Sequence, residues 1–165
     1  MDSDVKFTCR TAKLNDLEII NQYWWCLIDE QKPFDNRLID SEVNRHRSMN
    51  FLREKITQGS LYVAELNTGE ILGLGSVIRD LHFLQTKLDV WNIADIWVRP
   101  EFRRMKIASK IVNLLEKVAY DNGAEEIRLT VYSKNMPANK LYSNQDYSPL
   151  ITTFSKSIPS DFRTK

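Results

Sequence analysis

The chain has 165 residues, 42% of them hydrophobic and 27% charged, with a formal net charge of +1. That length suits a single domain with a sizeable core, and the balanced charge excludes a general drive toward nucleic acid or acidic membrane. No apolar run is long enough to span a bilayer, the first six residues lack a signal-peptide core, and Cys9, Cys26, His46 and His82 have no metal-ligand spacing. These features predict a cytoplasmic protein with no metal, and they leave a homodimer open.

In chain order, Val5 to Arg10 predicts a first strand. Asn15 or Asp16 then caps a helix whose inner face carries Leu17, Ile20, Tyr23 or Trp24, and Leu27. Pro33 and the pair Asp35-Asn36 mark a loop. A second helix starts near Ser41, runs through Phe51, Leu52 and Ile56, and stops at Gly59. Leu61 to Leu66 and Ile71 to Val77 read as a hairpin around Asn67-Thr68-Gly69-Glu70, and Gly73 and Gly75 suggest close approach of another element. Asp80 to Leu88 reads as a loop or a strand extension.

Ile93 to Val98 predicts a central strand, and Pro100 forces a turn. From Ile107 the apolar residues Ile111, Leu114, Leu115 and Val118 follow a helical period, with Gly123 as its stop. Glu126 to Tyr132 reads as a further strand, Asn135 to Asn144 as a short helix with Pro137 in its first turn, and Tyr147 to Ser155 as a closing strand or hairpin. The order β-α-α-β-β-β-α-β-α-β fits an α/β fold: a mixed sheet with helices on both faces.

Basic residues concentrate where the central strand meets the long helix: Arg99, Arg103, Arg104, Lys106 and Lys110, opposed by Glu101 alone. A helix start offers unpaired N–H groups and partial positive charge, so cations placed there suit a phosphate; the alternative is a set of solvated charges. A nucleic-acid surface would rest on this cluster alone and sits poorly with a net charge of +1.

The segment Val98-x-Pro100-Glu101-Phe102-Arg103-Arg104-Met105-Lys106-Ile107-Ala108 resembles the acetyl-CoA motif of the GCN5-related N-acetyltransferases. There a strand ending in Val-x-Pro leads into Arg/Gln-x-x-Gly-x-Gly/Ala. Arg103 and Ala108 match the ends of that pattern, and Lys106 stands at the middle glycine. A lysine keeps its amide donor there if its φ is negative. A second segment resembles the family's Asn-x-x-Ala-x-x-Leu-Tyr signature through Asn135, Ala138, Leu141 and Tyr142, with Asp146-Tyr147 in place of Gly-Phe. Arg10-x-Ala12 and Asp16-Leu17 resemble the usual start of such a domain, and the element order is also the one the family has.

The resemblance implies an acetyl-CoA-dependent N-acetyltransferase acting on a primary amine of a small molecule or peptide. It implies backbone contacts to the cofactor from Ile96, Trp97 and Val98, provided the strand is bulged there, and from Arg103, Arg104, Met105, Lys106, Ile107, Ala108 and Ser109 in the loop and first helical turn. Asn135 and Ala138 would meet the pantetheine arm, with Asn135 equally suited to cap its own helix. Tyr142 is expected as the general acid toward the CoA sulfur, or else as an aromatic wall residue. Ala94 stands where several members carry a glutamate. Neighbouring Asp95, which strict alternation turns to the opposite face, is a candidate base, an acceptor-binding anion, or a salt-bridged structural group. Tyr23, Trp24, Trp25 and Phe34 are either acceptor-pocket lining or core, with Asp29, Glu30 and Asp35 either attracting an amine or forming a solvated rim. The other reading of the whole chain is a cofactor-sensing domain that has lost turnover, motivated by Lys106 and Asp146 at glycine positions.

Overall fold

The structure is a computed structural model, which describes residues 5–35, 37, 39–81 and 87–157. Asn36, His82 and most of the Asp80 to Leu88 stretch lie outside the described residues. The elements run β1 (Phe7–Thr11), a 3-10 turn (Leu14–Asp16), α1 (Leu17–Gln31), α2 (Glu42–Thr57), β2 (Leu61–Leu66), β3 (Ile71–Arg79), β4 (Val90–Val98), a second 3-10 turn (Pro100–Phe102), α3 (Ile107–Asp121), β5 (Glu126–Leu129) and α4 (Met136–Ser143).

The strands form one sheet in the order β1-β2-β3-β4-β5, antiparallel except for the parallel pair β4–β5. The two-residue period of the strands sends side chains to two cores. Leu61, Val63, Leu74 and Trp97 meet Leu17 and Ile20 of α1 and Leu52 and Ile56 of α2. Ala64, Leu72, Val77, Ile93 and Val98 meet Ile107, Ile111, Val112 and Leu115 of α3. Covered on both faces, β3 is buried from Ile71 to Val77. The mixed sheet with helices on both faces is therefore present.

Local chemistry sets the element ends. The Ser41 hydroxyl accepts the Asn44 N–H at 3.2 Å and caps α2, and Gly59 ends it at φ +69°. Asp16 serves α1 differently from a simple cap. Its carboxylate accepts the Lys13 N–H at 2.7 Å across the preceding 3-10 turn and binds Arg10, which also binds Glu65. Helix α1 buries Leu17, Ile20, Trp25 and Ile28 rather than a single stripe, because it packs against α2 as well as the sheet. The predicted closing strand is absent among the described residues. Residues 148–157 carry no strand, Pro149 removes a donor, and Phe154 is 91% exposed.

Gly73 and Gly75 mark close approaches, as expected. A Cβ on Gly73 would stand 2.6 Å from the Trp97 carbonyl oxygen, and one on Gly75 would meet Ile96 and Ile111 of α3.

Candidate active site

Ser76 pairs with Ala94 and Leu74 with Trp97, so β4 carries one residue more than β3 over this interval: a bulge centred on Asp95, whose φ is +59°. The bulge breaks the alternation of side chains. Ile93 and Ile96, which uninterrupted alternation would send to opposite faces, both pack with the α3 core, and Asp95 between them reaches Trp24 and Lys55 on the α1/α2 side, so the expectation that strict alternation fixes the face of Asp95 is corrected. Pairing with β5 runs from Val90↔Glu126 to Ile93↔Leu129 and stops just before the bulge. β5 itself ends there, leaving the β5 side of Ile96, Trp97 and Val98 without a ladder partner among the described residues.

Beyond β4 the chain turns through Pro100 and enters a short loop. Arg104 and Lys106 both have positive φ, +67° and +60°. The condition set for Lys106, that its amide donor needs a negative φ, is therefore corrected: the lysine occupies the backbone region glycine favours and its N–H is still without an acceptor among the described residues, and at Asp146, φ +64°, the aspartate takes the same region. Among the described residues the N–H groups from Arg104 to Ser109 find no acceptor in the protein. Those of Ile107, Ala108 and Ser109 are the orphan donors of a helix start, and positive φ values in the preceding loop are the kind of backbone that gathers amides into an anion-binding concavity. Met105, exposed like its neighbours, lies between the two left-handed residues. Arg104, Lys106 and Lys110 are exposed around this donor run, with Lys110 also placed 4.5 Å over the Phe7 ring.

Arg103 does something else. Its Nε donates to the Val98 carbonyl at 2.9 Å, and its guanidinium pairs with Glu30 at 2.6 Å. Glu30 also accepts the Trp97 indole N–H at 3.0 Å. Arg103 thus ties the loop to the strand end and to α1.

Helix α4 carries Tyr142. Its ring packs in the α3 core and meets Tyr147 edge-on at 6.0 Å, and among the described residues its hydroxyl has no partner. Burial pushes its pKa up to about 12. The Asn135 side chain accepts the Ala138 N–H at 3.3 Å, which caps α4 and leaves its NH₂ without a hydrogen-bond partner among the described residues.

The Asp95 carboxylate takes three hydrogen bonds: from Trp24 Nε1 at 3.0 Å, Lys55 Nζ at 2.6 Å and Ser76 Oγ at 2.6 Å. Burial works to raise its pKa, but the Lys55 charge and the three donors outweigh burial and hold it below the usual carboxylate value. Sequence reasoning missed Lys55 and Ser76. A signal existed: Lys55 falls on the inner stripe of α2 with Ser48, Leu52 and Ile56, where a lysine needs a partner.

The aromatics proposed for an acceptor pocket are mostly engaged with the protein. Tyr23 donates to the Ile71 carbonyl at 3.1 Å, and Trp25 donates to Ser48 Oγ at 2.9 Å. Phe34 stacks on Tyr132 at 5.8 Å, and the Tyr132 hydroxyl donates to Asp35, joining the α1–α2 connection to the segment after β5. Asp29 pairs with Lys32.

Comparison with known proteins agrees with the fold. A 50-residue segment is 42% identical to thialysine N-epsilon-acetyltransferase of Bos taurus, covering 30% of this chain and 29% of that protein. The fold matches glucosamine-6-phosphate N-acetyltransferase of Arabidopsis thaliana at TM-score 0.68 and 20% identity, over 93% of this chain and 99% of that one. It matches a predicted acetyltransferase from Clostridium acetobutylicum, solved with acetyl-CoA, at TM-score 0.73 and 14% identity, over 92% of this chain and 96% of that one. The model of the acetyltransferase (GNAT) family matches residues 18–147, and the chain belongs to that family.

Proposed function

We propose that the protein is an acetyl-CoA-dependent N-acetyltransferase that passes an acetyl group directly to a primary amine in a ternary complex. The observation that carries this reading is the run of acceptor-free N–H groups from Arg104 to Ser109 at the start of α3, ringed by Arg104, Lys106 and Lys110. Six consecutive donors with cations around them suit a diphosphate. The fit extends along β4, where Ile96, Trp97 and Val98 leave one side of the backbone unpaired for an extended amide-bearing arm, and to the Asn135 NH₂ and Ala138 at the start of α4.

Acetyl-CoA supplies an acyl carbon activated as a thioester. The unpaired backbone donors past the bulge suit the acyl oxygen as charge gathers on it. The amine nitrogen bonds to the acyl carbon, the carbon–sulfur bond breaks, and Tyr142 gives its hydroxyl proton to the departing sulfur. A tyrosine held near 12 stays protonated at neutral pH, as an acid must. Asp95 is a poor base, since its carboxylate already takes three hydrogen bonds and is held ionised. The amine proton therefore goes to water. Acetylation on nitrogen in the names of two relatives supports an amine acceptor.

Lys106 and Asp146 both sit at positive φ, backbone that glycine favours, which supports turnover over the cofactor-sensing alternative. A thiol-release assay with acetyl-CoA and a panel including thialysine, glucosamine 6-phosphate and small polyamines tests the proposal. Turnover well above background on at least one amine is expected. Calorimetric binding of CoA with no turnover on the panel would return the argument to a sensor.

A further inference from the structure

The bulge that opens β4 has a conformation its own residue does not favour. Asp95 is not glycine, yet it sits at φ +59° in the middle of a strand. Its side chain is held from three elements at once: Trp24 on α1, Lys55 on α2 and Ser76 on β3. Lys55 is the hub of this grip. Its ammonium reaches Asp95 at 2.6 Å and Ser76 Oγ at 2.8 Å, lies 4.7 Å from the centre of the Phe51 ring, and belongs to a residue only 9% exposed.

An isolated ammonium would not stay in such a place, so the site was built around the ion pair. The carboxylate it holds lies on the residue whose backbone creates the extra count between Ala94 and Trp97. We infer that Lys55 is a positioning residue: by clamping Asp95 it holds the β4 bulge in the left-handed conformation that turns the Ile96–Val98 backbone to the edge left open where β5 ends. This rests on the acetyl-transfer reading of that edge. It gives α2 a defined task at the bulge.

A chemical role for Asp95 and a conformational one predict opposite behaviour from glycine. Glycine reaches positive φ without a clamp but has no carboxylate. Lys55→Met should lower kcat about tenfold or more and raise KM for acetyl-CoA, since the displaced Ile96–Val98 backbone serves both the acyl oxygen and the amide-bearing arm. Lys55→Met combined with Asp95→Gly should recover most of that loss, because the bulge no longer needs holding and no charge is left unpaired. Ser76 can then donate to the Ala94 carbonyl, already 3.4 Å away. Asp95→Ala, which lacks both the carboxylate and the backbone freedom, should be as poor as Lys55→Met.

Backbone chemical shifts of Ile96 and Trp97 supply a readout independent of turnover. They should move in Lys55→Met and return toward wild type in the double variant. A double variant no better than Lys55→Met, or unmoved shifts in Lys55→Met, would overturn the clamp. If the wild type acetylates no amine while the shifts follow this pattern, the acetyl-transfer reading fails and the clamp stands.

Discussion

Arg103 Nε and the Val98 carbonyl oxygen lie 2.9 Å apart, so Arg103 closes the loop beyond β4 back onto that strand. The neighbouring Arg104 points its charge at solvent. The two arginines should therefore fail in different ways. Arg104→Glu places like charge beside a phosphate and should weaken CoA binding several-fold, more at low salt than at high. Arg103→Gln should cost about 1 kcal/mol of stability, discounted for partial exposure, with a smaller salt dependence of binding. Calorimetric titration at two ionic strengths together with thermal melts separates them; identical profiles would remove the distinction.

Lys106 invites a stabilising substitution. A non-glycine residue in the left-handed region costs roughly 1–2 kcal/mol, while glycine's extra freedom in the unfolded chain returns ~0.5–1 kcal/mol of that. Lys106→Gly should thus raise the melting temperature by about 2 °C, given the size of the chain. It should also weaken CoA binding if the ammonium meets a phosphate. A melt that falls instead would mean the lysine side chain contributes more to the folded state than its backbone strain removes.

Gly73 allows no comparable freedom. The atom its Cβ would strike, at 2.6 Å, is the backbone carbonyl oxygen of Trp97, which cannot rotate away. Gly73→Ala should push β3 from β4 beside the bulge and lower stability by about 1–3 kcal/mol in urea unfolding. An unchanged midpoint would show that the sheet opens more easily there than its pairing suggests.

Tyr142→Phe keeps the ring in the α3 core and removes only the hydroxyl. Turnover should fall about 10²-fold, with KM for acetyl-CoA nearly unchanged. Because burial holds the hydroxyl protonated to about pH 12, the wild-type rate should show no loss from its ionisation between pH 7 and 10. Equal loss of rate and CoA affinity would make it a wall residue.

Much of this was readable in the sequence because local rules sufficed. Ser41 as a cap, Gly59 as a stop and the hairpin at Gly69 need only near neighbours, and the two motif segments carry their own register. Four things needed the folded chain. The φ of Lys106 follows from how the loop must leave Pro100 and enter α3, which no propensity encodes. The face of Asp95 depends on an extra residue in β4 that appears only when its register against β3 is known. The closing strand failed because β propensity at Leu150 to Phe154 does not supply a neighbour, and among the described residues none pairs with it. The Asp95–Lys55 pair joins residues 40 apart, so the sequence displayed the lysine on a buried stripe without naming its partner.

That pair should also set part of the acid limit of stability. The native pKa of Asp95 lies below its unfolded value of about 3.9, because Lys55, Ser76 and Trp24 outweigh burial. A depressed carboxyl contributes stability that is complete above the unfolded value and is lost as pH falls through the native one. Asp16 and Glu65 are held down as well, chiefly by Arg10 acting against burial, so the wild-type curve alone cannot isolate Asp95. The double variant Lys55→Met/Asp95→Asn can, since it removes both charges and leaves the Arg10 cluster intact. Urea unfolding should give a stability gap between wild type and double variant that is steady from pH 7 to pH 5 and moves against the wild type below about pH 4. Lys55→Met alone strands a buried charge and should lose about 3 kcal/mol or more at pH 6, with part of that loss relieved in acid as the lone carboxyl protonates. A gap independent of pH would mean that the carboxylate gains nothing from its three donors.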